Sequence, residues 1–91
     1  MAEFLVEVYA AQDSHALHAA ARRARAAANS LASEGPDVRY VRSIFVPEDE
    51  TCFYVYEADS AGTVREVARR AGLPIDRLVE ACSAEPEGED R

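Results

Sequence analysis

The stretch Arg42–Ala58, RSIFVPEDETCFYVYEA, decides the fold. Two runs rich in Ile, Phe, Val and Tyr flank Pro47-Glu48-Asp49-Glu50, the composition of two β-strands joined by a tight loop. Neither run alternates cleanly between apolar and polar, so this hairpin is too apolar to leave one face wet.

Working back from it, a strand from Val38 to Val46 follows Gly35 and Pro36, which end a helix. Glycine tolerates the left-handed cap and proline cannot continue the helix. Along that helix Leu17, Ala21, Ala24, Ala28 and Leu31 recur at helical spacing. A stripe made mostly of Ala lets the helix lie close against a sheet. His15, His18, Arg22, Arg25 and Asn29 fall on the opposite side, and Asp13 or Ser14 can cap the start. Before it, Glu3–Tyr9 (EFLVEVY) alternates as a first strand, with Phe4, Val6 and Val8 on one face and Leu5, Glu7 and Tyr9 on the other.

Forward from the hairpin, Ser60 caps a second helix with Val64, Val67, Ala68 and Ala71 on its buried side, and Gly72 and Pro74 close it. Glu66 and Arg70 stand four apart in the favourable order. Asp76–Ala81 leads into a fourth, edge strand. From residue 83 the chain is acidic and rich in small residues, and we expect a disordered tail over 83–91 after one domain over 1–82. The order βαββαβ is the ferredoxin-like α+β arrangement: a four-stranded antiparallel sheet with both helices on one face.

Ninety-one residues make one domain, and a chain of this size buries only roughly 60–65% of its unfolded surface, so a partner subunit helps. In this topology the first and third strands are central, and the face the helices leave open receives several large apolar side chains. The third strand turns either Cys52, Tyr54 and Tyr56 or Phe53, Val55 and Glu57 outward. Both choices leave a patch larger than monomers tolerate, and a second copy packing sheet to sheet, a dimeric α+β barrel, removes it.

The net charge is −7 and all ten basic residues are arginine, with no basic stripe carrying interleaved aromatics. Such a balance repels phosphate backbones, so no nucleic acid is expected. No apolar run is long enough to span a membrane, and no signal peptide precedes the first strand. We expect a cytoplasmic protein with Cys52 and Cys82 both reduced. Phosphate loops, GxSxG elbows, CxxC pairs and HExxH motifs are missing from the sequence.

Glu7, Arg42 and Glu57 can share the outward face, and carboxylates among Leu and Phe must find a partner or shift their pKa. Arg42 is placed to hold both glutamates ionised. Read functionally, the three residues and Tyr9 line a polar site inside the barrel; read structurally, they are an ion-pair cluster that fixes the dimer register. His15 and His18, three apart on a helix, have the spacing to share one metal ion, although no Asp, Glu or Cys joins them within the next turn.

The residues FLVE (Phe4–Glu7), AAARRARAA (Ala19–Ala27), YVYEA (Tyr54–Ala58) and above all ARRAGLPIDRLVE (Ala68–Glu80) resemble a family of small bacterial proteins. Most of its members have no assigned activity, and its described example is a nickel-binding protein with a dimeric ferredoxin-like fold. The resemblance implies the same fold, a homodimer, and nickel or another divalent metal as ligand. Nickel favours imidazole alongside carboxylate and thiolate, and this chain offers only His15 and His18. The leading expectation is a non-catalytic dimer that binds a divalent transition metal or a small ligand, with His15, His18, Glu7 and Glu57 as candidate ligands and Cys52 a lesser one. One alternative is a cofactor-free barrel enzyme of monooxygenase or isomerase type, acting on a small apolar substrate. It would use Glu7 or Glu57 as base and Arg42 at an oxyanion. A structural or protein-interaction module is the other.

Overall fold

The computed structural model describes residues 1–10 and 14–84. Asp13, one of the two expected caps, and the tail from residue 85 lie outside the described residues. In chain order the elements are β1 (Ala2–Tyr9), α1 (Ser14–Ala32), β2 (Val38–Val46), β3 (Thr51–Ala58), α2 (Ala61–Ala71) and β4 (Arg77–Ala81). A short 3₁₀ turn, Pro47–Asp49, links β2 to β3, and Glu50 completes the hairpin in the left-handed region with φ 48°. All pairings are antiparallel and the sheet order is β2-β3-β1-β4, the ferredoxin-like arrangement.

Strand alternation decides which side is core. Phe4, Val6 and Val8 on β1 and Cys52, Tyr54, Tyr56 and Ala58 on β3 are buried, and they form one cluster with Ala24, Ala27, Ala28 and Leu31 of α1 and Val64, Val67, Ala68 and Ala71 of α2. No charged or polar residue is buried among the described residues. The small side chains of α1 let its backbone come down onto the sheet, close enough for the Tyr56 hydroxyl to donate to the Ala24 carbonyl at 3.3 Å. Burial pushes the Tyr54 and Tyr56 phenols well above their ordinary pKa, so both stay neutral donors.

The helix ends follow the sequence signals. Ser60 caps α2 by accepting from the Thr63 amide, and Gly72 ends it with φ 71°. Arg23 on α1 donates to the Ala71 carbonyl at 3.0 Å, satisfying a C-terminal acceptor of α2. Arg70 ties the helices together, reaching Glu66 on its own helix and Glu34 just beyond α1.

Candidate functional site

The face away from the helices is laid out in rows by the strand register. One row holds Arg39, Glu57, Glu3 and Ala81, taken from β2 across to β4; the next holds Arg42, Val55, Leu5 and Val79; the third holds Ile44, Phe53, Glu7 and Arg77. Val46, Thr51 and Tyr9 close the end, where the Tyr9 hydroxyl donates to Glu50 at 3.2 Å. The third strand therefore turns Phe53, Val55 and Glu57 outward. Leu5, Phe53, Val46 and Val79 are half-buried, while Tyr9 is 64% and Ile44 42% exposed.

A β-bulge puts Arg42 in this set. Tyr40 pairs with Tyr56 and Arg42 with Val55, so the register shifts across Val41. Without the extra residue, Val38, Tyr40 and Arg42 would share the inward face by simple alternation. With it, Tyr40 stays inside, edge-on to Tyr56 and bonded to the Ser43 hydroxyl, and Arg42 emerges on the open side.

The expected bridge from Arg42 to Glu7 and Glu57 is not formed. Arg39 takes Glu57 at 2.7 Å and Arg77 takes Glu7 at 3.4 Å. The reason is register: Arg39 is the direct cross-strand neighbour of Glu57, and Arg77 that of Glu7. Arg42 sits opposite Val55 and has no ion pair among the described residues. Glu7 and Glu57 lie one strand and four residues apart, about 14 Å on a pleated sheet. One ion cannot bridge them within a chain.

His15 and His18 are exposed on α1, with the whole core between them and the outward carboxylates. Among the described residues no three of His, Cys, Asp and Glu converge as a metal site. Among the described residues the imidazole pair therefore supplies two donors and no third joins them. Cys52 is buried on the inward face of β3, where burial raises its thiol pKa, while Cys82 is exposed past β4.

One feature went unread in the sequence. An open groove of about 410 Å³ runs along the end of the sheet, lined by Met1, Glu3, Glu57, Glu80, Cys82 and Ser83 among others. It brings Glu57 beside Glu3, which accepts from the Ser83 hydroxyl at 2.6 Å. The pairing of β4 with β1 assembles it, and only the register reveals that. Neither Glu7 nor Arg42 lines this groove, so within one chain the barrel-enzyme residues do not gather around a closed cavity.

Residues 21–81 match the family described as Nickel responsive protein SCO4226-like. The chain belongs to that family. Among solved structures it is similar to the crystal structure of SCO4226 from Streptomyces coelicolor A3(2), at 23% identity and a TM-score of 0.69, over 92% of this chain and 100% of that one. That likeness shows the shared fold. No functionally curated protein matches the chain. The α+β architecture read from the sequence is thus the architecture of the SCO4226-like family, and no helix among the described residues is long and apolar enough to cross a membrane.

Proposed function

We propose that this SCO4226-like protein is a cytoplasmic homodimer that binds a divalent transition metal, nickel first, through the imidazoles of His15 and His18, and that it is not an enzyme. The observation that carries the metal reading is the pairing of the outward carboxylates. Glu7 and Glu57 are engaged by arginines, which compete with a metal for them and leave imidazole as the accessible nickel donor. The description of the family as nickel responsive supports the choice of metal. Two imidazoles one turn apart on the exposed face of α1 supply half of a four-coordinate set. Water or a second chain completes it, and neutral imidazole is required, so binding weakens on acidification.

The homodimer reading rests on the half-buried apolar row across the open face, a surface a lone ferredoxin-like sheet leaves to solvent. Here the second copy supplies cover and the charged rim supplies register.

Calorimetric titration of tag-free, metal-stripped protein with nickel, with zinc and copper in parallel, tests the metal reading. The expected result is a dissociation constant on the order of micromolar for nickel, lost when both histidines are replaced by Ala. Absence of heat, or binding unchanged in the H15A/H18A variant, overturns it.

A further inference from the structure

The outward face carries three arginines and three glutamates, and two pairs close within the chain: Arg39 with Glu57 and Arg77 with Glu7. That leaves one cation, Arg42, and one carboxylate, Glu3, which among the described residues is bonded through its side chain to the Ser83 hydroxyl alone. They stand two strands and one row apart. With strands about 4.8 Å apart and a rise of about 3.4 Å per residue, their Cα atoms are about 12 Å apart, and no ion pair forms between them.

A face-to-face dimer has its two-fold axis in the mid-plane between the sheets, so in projection each residue lies over the reflection of its partner across that axis. The line that lays Arg42 over Glu3 runs obliquely across β3 and β1. On the same flat lattice that line lays Phe53 over Val79 and Leu5 over Val55, and it brings Glu7 close to Arg77 and Glu57 close to Arg39 of the second copy. Apolar residues meet apolar, and every charge meets its opposite. The strands of the two sheets then cross at about 70°, toward the orthogonal class of sheet packing.

We propose that a second copy of this chain docks on the open sheet face about this axis, with Arg42 of each subunit ion-paired to Glu3 of the other. The inference rests on the homodimer reading above and adds the register and the residues that set it. Each interface contains this pair twice, which links the groove holding Glu3 to the opposite subunit. Among the described residues Arg42 has no ion pair to compete with this one. Partly covered by the apposed sheets, it is screened less than a surface ion pair.

Sedimentation velocity across a dilution series tests it, on wild type, R42E, E3R and the R42E/E3R double variant, with circular dichroism verifying that each is folded. Both positions are on the open face, and R42A serves as a milder variant. The expected result is a dimer that each reversal weakens by about tenfold or more, with the double variant restored to within about threefold of wild type. Dimers unaffected by either reversal, or a double variant no better than the singles, overturn the Arg42–Glu3 pair while leaving the homodimer intact. A wild-type chain that stays monomeric at the highest concentration overturns the homodimer and the pair together.

Discussion

The two faces of this sheet are built from alternate residues of the same four strands, yet they solve different problems. The inward face holds Val6, Tyr54 and Tyr56 with almost no exposure, buries no charged residue among those described, and is sealed by Ala-rich α1 and by α2. The outward face mixes Phe53, Leu5 and Val79 with six charged residues, and apart from buried Val55 its apolar side chains stay half-open or exposed. One face is finished by the chain itself. The other has the composition of an interface, apolar at the centre and charged toward the rim. Aromatic rings stand on both, so residue type alone does not separate them; what separates them is whether a helix is above.

The sharpest break of this contrast is truncation on the inward side. Tyr56→Ala removes a fully buried ring and its bond to the Ala24 carbonyl, and is expected to destabilise the fold by about 3–5 kcal/mol, read by urea unfolding. Phe53 is the neighbouring aromatic but one on the open face, and Phe53→Glu should leave the circular dichroism spectrum of the monomer intact. It should abolish association at micromolar concentration, as light scattering would report, because the docked face would bury an unpaired charge. If Phe53→Glu unfolds the chain instead, the two faces are not distinct. Ser60→Ala, on the α2 cap and touching neither face, is expected to cost about 1 kcal/mol in the same urea assay.

The smallest effect lies in the acid limb of stability. Arg69 and then Arg70 hold the Glu66 carboxyl down to about 2, and Arg70 also lowers Glu34. A carboxylate depressed in the folded state stabilises above its unfolded pKa of about 4.3 and loses that contribution as pH falls toward the folded value. Glu66→Gln should therefore flatten the melting temperature profile between about pH 4.3 and pH 2, with no change in slope near neutrality. These groups are solvent-exposed, so high salt should erase most of the difference between variant and wild type.

Much of this was legible in the chain because each boundary has local chemistry. Ser60 and Gly72 mark helix ends through backbone constraints that need no distant partner, and α2 starts and stops there, while α1 ends at Ala32, one turn before Gly35–Pro36. The β1 alternation read the core face correctly for the same reason. The site was less legible. Arg42 was the expected partner of two glutamates, but cross-strand register gave them to Arg39 and Arg77, residues whose sequence separations of 18 and 70 carry no local signal. His15 and His18 were readable as a pair with no Asp, Glu or Cys in the next turn, and among the described residues no three such donors converge.

By itself, then, the sequence determined the element order, the helix caps and the inward stripes, because those depend on interactions within a few residues. Tertiary packing alone settles that Phe53, Val55 and Glu57 turn outward, that a bulge at Val41 carries Arg42 to their side, and that Glu3 and Arg42 have no charged partner among the described residues. Those outcomes follow from strand register, and register is fixed by packing residues far apart in the chain against one another.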